Sequence, residues 1–191
     1  MTTPKRDDER RARFRALYEA NYESILGYAL RRARGTDAPD VVSETFLVAW
    51  RRIAQVPAGD EARLWLYGTA RRVLANHERA ERRRGRLGDR LADEAGTAVH
   101  AATEQPTGAV SSAFARLRST DRELLALVAW EGLDARELAL VVGCSRNAAR
   151  IRLHRARRRF AQALEQEDER VKRERPAGHV SLTAIRTEDS R

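Results

Sequence analysis

Apolar residues in this chain recur at helical spacing, and nowhere do apolar and polar positions alternate over a sustained run. The first pattern buries one side of an α-helix and the second one face of a strand, so the chain is confined to an all-α fold. One stripe runs through Phe14, Leu17, Tyr18, Tyr22, Ile25, Leu26 and Ala29, on a long helix that ends near Gly35. A second helix follows Asp37, with Pro39 in its first turn, where a missing N–H is harmless. It turns Val42, Phe46, Ala49, Trp50 and Ile53 inward, and Pro57 and Gly59 stop it. A third helix, from about Asp60, carries Leu64, Trp65, Ala70, Val73 and Leu74, then enters a basic stretch from Glu78 to Arg86.

The pattern then lapses. Between Gly85 and Gly108 the chain is mainly glycine, alanine, aspartate and threonine with one proline, weakly periodic and without aromatics, which is the composition of a linker. The expected organisation is two small helical domains, 10–84 and 110–165, joined by a flexible linker at 85–109. A polar tail at 166–191, with Pro176 and Gly178, is expected to be disordered. Helical pattern resumes at Ala113. Thr120 and Glu123 have the spacing of a capping box, and Asp134 and Glu137 repeat it, with Leu133 and Leu138 placed as a hydrophobic staple. These signals frame short helices over Asp121 to Trp130 and Ala135 to Val142, and a longer one from Ser145 to about Glu165.

Composition narrows the function classes. No run of about 18 apolar residues occurs, so no membrane insertion is expected and the protein is read as cytoplasmic. The lone Cys144 makes no internal disulfide, and His77, His100, His154 and His179 have no metal-ligand spacing. No phosphate-cradling glycine loop or nucleophile elbow is present, so neither a cofactor nor a metal is expected and the enzyme reading is weakened. Net charge is +9, and of 37 basic residues only Lys5 and Lys172 are lysines. Guanidinium groups favour bidentate contacts to phosphate and guanine, although a GC-rich genome would produce the same bias.

The C-terminal pattern is that of a helix-turn-helix. Two closely crossing helices need a small residue at the crossing and a turn that tolerates unusual backbone angles, and Ala139 and Gly143 stand where those demands fall. On the helix after the turn, Ala149, Leu153, Ala156 and Phe160 share one side, while Asn147, Arg150, Ile151 and His154 share another, flanked by Arg146 and Arg157. From Arg146 to Arg159 there are seven arginines and no acid. A basic helix alone would read as a solvated surface. Capped helix, small crossing residue, glycine turn and two-faced basic helix together point to DNA binding, with the last helix in the major groove.

These residues also resemble a known family. The stretch from Leu117 to Phe160, including EGLDARELALVVGCS and RLHRAR, is similar to the promoter-binding fourth region of ECF (extracytoplasmic function) sigma factors. DVVSETFLVAW, from Asp40 to Trp50, and WLYGTARR, from Trp65 to Arg72, resemble their second region. The resemblance implies a bacterial transcription-initiation factor, not an enzyme, which binds core RNA polymerase and helps open the minus-ten element of promoter DNA. It implies that Asp40, Ser43, Glu44 and Leu47 dock on the clamp coiled coil of the polymerase's largest subunit. It further implies that Trp65, Tyr67, Arg71, Arg72, Asn76, Arg79, Arg82 and Arg83 meet the minus-ten element, where Trp65 and Tyr67 could line or support a flipped-base pocket. The ring of Trp65 is expected to belong mostly to the core. Arg146, Asn147, Arg150, Ile151, His154 and Arg157 would read the minus-thirty-five element.

An anti-sigma factor that occludes the docking face is expected only at the family level. Two departures bear on specificity: Arg72 stands where the family commonly has asparagine, and Ala148, Ala149 and Ile151 where it has small polar residues. The alternative to this reading is a stand-alone helix-turn-helix regulator with an N-terminal sensor or dimerisation domain. Against it stands the second arginine cluster after WLY, for which a sensor domain has no need.

Overall fold

The computed structural model describes residues 4–33, 37–92 and 108–174, and among them there is no strand. Helix α1 spans Pro4–Leu30, α2 Ala38–Arg51 and α3 Glu61–Ala92; α4 spans Ala109–Arg116, α5 Ser119–Ala129, α6 Ala135–Val142 and α7 Arg146–Glu174. The first three make an N-terminal lobe and the last four a C-terminal lobe, as the all-α two-domain reading expects.

In the N-terminal lobe, Ile25, Tyr28, Val41, Phe46, Leu66 and Val73 are buried where α1, α2 and α3 meet. Rings extend this core outward, Phe14 lying edge-on to Trp50 at 5.2 Å and Tyr18 4.7 Å from Phe46. Helix ends leave carbonyls without intrahelical partners. At the end of α2 the arginines of α1 supply donors, Arg10 Nη2 to the Trp50 carbonyl at 3.0 Å and Arg13 Nη2 to that of Val56 at 2.6 Å. A turn at Ile53–Gln55, followed by Gly59 at φ +64°, then reverses the chain into α3.

The C-terminal lobe packs Ala113, Leu117, Leu124, Leu127, Leu138, Ala149, Leu153 and Ala156 into its interior. The Asp134 capping box forms as its spacing predicts: the Asp134 carboxylate accepts from the backbone N–H groups of Arg136 (2.7 Å) and Glu137 (2.8 Å), and the Glu137 carboxylate accepts from Asp134 N–H (2.9 Å). Those backbone donors hold the Asp134 carboxyl below its ordinary pKa. Leu133 and Leu138, on either side of this cap, are both buried.

The Thr120–Glu123 capping box does not form. The helix starts at Ser119, so the cap position of α5 is Arg118, with no side-chain capping bond, and Thr120 lies inside the first turn, while Glu123 reaches across to α1. Several boundaries also differ from the sequence reading: α1 ends at Leu30 rather than near Gly35, α2 ends at Arg51 with Ile53 in the turn that follows, and α5 starts at Ser119 rather than Asp121. Helix is re-established at Ala109 rather than Ala113. Helix α3 continues to Ala92, through Gly85 and Gly88 and into the expected linker. A helical glycine costs about 1 kcal/mol relative to alanine, and the surrounding arginines, leucines and alanine are strong helix formers that offset it. The remainder of that stretch, 93–107, lies outside the described residues. Likewise α7 runs nine residues past Glu165, to Glu174, so the expected tail begins later, at 175, also outside them. What holds the extension is Glu167, a buried carboxylate on α7 that accepts from Arg116 of α4 and from Arg170 one turn on. Burial alone would favour its neutral form; the two guanidiniums outweigh that and lower its pKa.

The lobes pack against each other, α3 on α6 and the end of α1 on α5. In mid-α3, a Cβ added at Gly68 would stand 3.2 Å from the Val141 carbonyl oxygen, so this crossing is as close as a helix without a side chain allows.

Candidate functional site

Sequence dictates the helix-turn-helix at the level of single residues. Gly143 ends α6 at φ +72°, ψ +48°, the left-handed conformation glycine adopts without strain. The N–H groups of Gly143 and Cys144 both donate to the Ala139 carbonyl, at 2.9 and 3.0 Å, closing the turn over the crossing residue. Ser145 Oγ accepts from Ala148 N–H (3.2 Å) at the start of α7. The helix then segregates as its periodicity predicts. Ala149, Leu153 and Ala156 are buried and Phe160 is half-buried, whereas Arg146, Asn147, Arg150, Ile151, His154 and Arg157 are all exposed. Ile151, 44 % exposed, is an apolar residue offered to solvent in the middle of this basic face. Of the arginines on α7, Arg159 is diverted to structure: its Nη1 donates to both carboxylate oxygens of the buried Asp121 on α5, at 3.1 and 2.9 Å.

On α2, Asp40, Ser43 and Leu47 are exposed on the side away from the buried Val42, Phe46 and Ala49. Glu44 shares that side but is engaged, its Oε2 lying 2.8 Å from His77 Nε2 of α3. A contact between residues 33 positions apart leaves no trace in helical periodicity.

Along α3 the expected minus-ten residues divide. Arg72, Asn76, Arg79 and Arg83 are exposed, and Arg71 and Trp65 are half-buried. Arg79 accounts for Asn76, donating to its Oδ1 at 2.9 Å, and Arg72 donates to Thr69 Oγ1 at 3.3 Å. The side chain of Arg82 lies outside the described residues. Tyr67 departs from the expectation. Only 3 % exposed, it packs 5.3 Å from the Tyr28 ring at the crossing of the lobes, so it is an interior residue here and not a surface for a base. Burial, then the Glu131 charge, push its hydroxyl pKa upward.

Sequence reading missed the polar cluster between the lobes. Tyr28 OH donates to Glu123 Oε1 (2.7 Å), and Arg32 donates through Nε to Glu123 Oε2 (2.8 Å) and through Nη1 to Glu131 Oε1 (2.9 Å). Arg31 adds a bond to Glu131 Oε2 at 2.7 Å. The Arg32 guanidinium also lies 3.8 Å over the Tyr28 ring. Burial and then the Glu123 charge raise the Tyr28 pKa well above its ordinary value. Arg32 also has its pKa raised. Burial opposes its charge, and Glu123, Tyr28 and Glu131 outweigh burial. Partners this far apart in the chain give no local signal.

Among the described residues no group of histidine, cysteine, aspartate or glutamate could hold a metal ion, and no helix is long and apolar enough to cross a membrane.

Comparison with known proteins bears on both lobes. The family model described as Sigma-70 region 2 matches residues 17–84, and that described as Sigma-70, region 4 matches 107–160. The probable RNA polymerase sigma-C factor of Mycobacterium bovis is 35 % identical over 144 residues, 74 % of this chain and 78 % of that protein. The chain belongs to the ECF sigma-factor family. As a sigma factor it binds core RNA polymerase and directs it to promoters for transcription initiation. Two further relatives are the ECF RNA polymerase sigma factor SigL of Mycobacterium tuberculosis, 29 % identical over 81 % of this chain and 90 % of that one, and the sigma factor CnrH of Cupriavidus metallidurans, 30 % identical over 71 % and 77 %. Two solved structures share the sigma-factor fold. The sigma factor RpoE, in complex with the anti-sigma factor NepR from Bartonella quintana, has a TM-score of 0.55 at 21 % identity, over 80 % of this chain and 96 % of that one. CnrH, in complex with the cytosolic domain of CnrY, has a TM-score of 0.52 at 24 % identity, over 80 % and 88 %.

Proposed function

We propose that this sigma factor divides its work among three surfaces and acts by binding alone, as a cytoplasmic, non-catalytic subunit of the polymerase. The unit 10–84 docks on the clamp coiled coil of the largest subunit through the α2 face of Asp40, Ser43 and Leu47, with Glu44 at its edge. Within the same unit, Arg71, Arg72, Asn76, Arg79, Arg82 and Arg83 neutralise and sort the minus-ten strand, with Trp65 supporting the surface. The unit 110–165 lays α7 in the major groove at the minus-thirty-five element. Arg150 and Asn147 suit purine edges there, and Ile151 suits a thymine methyl. The observation that carries this reading is the segregation of α7 into a buried apolar side and an exposed arginine side after a capped, glycine-closed turn. A stand-alone regulator is not favoured, because α3 carries its own exposed arginines in the other lobe.

The anti-sigma complexes of the two structural relatives support a further expectation, that an anti-sigma factor covers the α2 face in this protein too. Docking is tested with Asp40→Lys combined with Leu47→Glu. Both positions are exposed, so helical content should be unchanged while the chain is no longer retained by immobilised core polymerase. Glu44 is left intact, since its substitution would also sever the contact to His77. Undiminished retention of the double variant would exclude this face from the interface.

A further inference from the structure

We propose that the cleft lined by α1, α3 and α5 is a binding site for a nucleoside polyphosphate, with the phosphates held by Arg71, Arg122 and the N-terminus of α5 and the base lying against Trp130. The cleft has a volume of about 560 Å³, which suits one nucleotide and excludes a duplex. Six arginines line it against two glutamates, Glu78 and Glu123. Charge of one sign gathered on the walls of a cleft concentrates ions of the other sign, so this one selects for a polyanion.

One wall is a helix end that lacks a cap. Arg118 occupies the cap position of α5 without a side-chain capping bond, and the first backbone bonds of the helix run from the N–H groups of Asp121 and Arg122 to the Arg118 carbonyl. The N–H groups of Ser119 and Thr120, two residues that line the cleft, have no acceptor among the described residues. Two backbone donors at the positive end of a helix dipole are a ready seat for a phosphate oxygen.

Guanidinium donors without acceptors gather at the same place. Arg32 belongs to the cleft wall, its side chain is only 9 % exposed, and its Nη2 is buried without a hydrogen-bond partner. A buried donor left in that state is uncommon in folded proteins, and a phosphate oxygen drawn against this wall would supply the acceptor. Arg71 is half-buried in the cleft and has neither a hydrogen bond nor an ion pair among the described residues. Arg122 is fixed by a single bond, Nη1 to the Ala115 carbonyl at 2.7 Å, which leaves its other N–H groups for a ligand.

Aromatic residues at the cleft distinguish a nucleotide from a bare phosphate. Trp130 is 51 % exposed and lies 5.8 Å from the Phe114 ring, and both residues line the cleft. An indole half open to water beside a phosphate seat offers its π-face to any of the bases, and such stacking contributes about 5- to 150-fold in affinity. Inorganic polyphosphate would engage the arginines and leave the indole unused.

Isothermal titration calorimetry of the full chain with ATP and with tripolyphosphate tests the site. Neither DNA nor polymerase is present, so the outcome is independent of the assignment of α3 to the minus-ten element. Arg71→Gln should weaken both ligands by about tenfold or more, the loss of one hydrogen bond to a charged group. Ser119→Pro should weaken both as well. Proline is accommodated at the first helical position, and Arg118 already has the extended conformation that must precede it, at φ −61° and ψ 146°, so only a donor N–H and a hydroxyl are lost. Trp130→Ala should weaken ATP by about 5- to 150-fold and leave tripolyphosphate unchanged, and Trp130→Phe should retain ATP. Because the chain carries a net charge of +9, attraction without a site is controlled by Arg155→Gln plus Arg158→Gln, exposed arginines of α7 outside the cleft. That pair should leave both affinities unchanged. Circular dichroism should show every variant equally helical. No saturable binding up to about 1 mM ATP, or equal losses in the cleft and α7 variants, would overturn the site. Trp130→Ala affecting both ligands equally, or neither, would overturn the assignment of the base.

Discussion

The recognition surface of α7 makes a separable prediction about two of its arginines. Arg150 is exposed and has no hydrogen-bond or ion-pair partner among the described residues, so Arg150→Ala removes nothing from the fold. Alanine is also at least as good a helix former as arginine, and the melting temperature should not fall. The whole effect should lie in DNA binding. Loss of one bidentate base contact costs about 1–3 kcal/mol, or about 5- to 150-fold in affinity for a cognate upstream element. Arg159, nine residues on, should behave in the opposite way. Its truncation leaves the buried Asp121 carboxylate without either of its two bonds. An orphaned buried polar group costs about 1–3 kcal/mol and a charged one more, but Arg159 is itself half-exposed and screened, which brings the expected loss back to about 1–3 kcal/mol. Thermal unfolding and fluorescence anisotropy on a labelled duplex separate the two variants. Arg150→Ala should change anisotropy alone, and Arg159→Ala the melting temperature alone at assay temperatures well below unfolding. A shared drop in melting temperature, or unchanged affinity for Arg150→Ala, would refute the two-faced account of α7. If Arg150 only neutralises phosphate, discrimination between sequences should persist while the salt slope falls by about one unit.

Two other perturbations follow from single residues. Arg72 is exposed and, among the described residues, is held by a 3.3 Å bond to Thr69, so Arg72→Asn should leave stability unchanged and shift the preferred minus-ten sequence, read by selection from a randomised promoter library; an unaltered preference would limit Arg72 to phosphate contact. Gly143→Val should destabilise the helix-turn-helix by at least about 1–2 kcal/mol, the cost of forcing a side chain into the left-handed region. A Cβ there meets nothing within 4 Å, so the loss is purely conformational and calorimetry on the full chain should detect it.

Helical periodicity carried most of the architecture, because each lobe buries a continuous stripe and each exposes what its stripe leaves over. Where a signal was local and complete it was reliable: Asp134 with Glu137 formed its box, Gly143 made its turn, and every proposed reading residue of α7 from Arg146 to Arg157 faces solvent. Local signals failed where a distant partner competed for the same side chain. Glu123 has capping spacing, but α5 starts ahead of Thr120, and a guanidinium and a phenol on α1 hold the carboxylate. Tyr67 looks available for base stacking because it adjoins Trp65, and it is buried by a lobe whose approach the pattern within α3 does not record. Gly85 and Gly88 read as breakers, and neighbouring helix formers carry α3 past them. The pairing of Glu44 with His77 and the clamp on Arg32 were illegible for the same reason, being contacts between stripes rather than within them.

Run-off transcription tests the central claim most directly, with purified core polymerase, this chain and a library of promoter templates. Discrete transcripts should appear from a subset of templates, only when the chain is present, and should disappear with Asp40→Lys plus Leu47→Glu. A chain that binds those templates through α7 yet never yields a transcript with core polymerase would contradict the assignment.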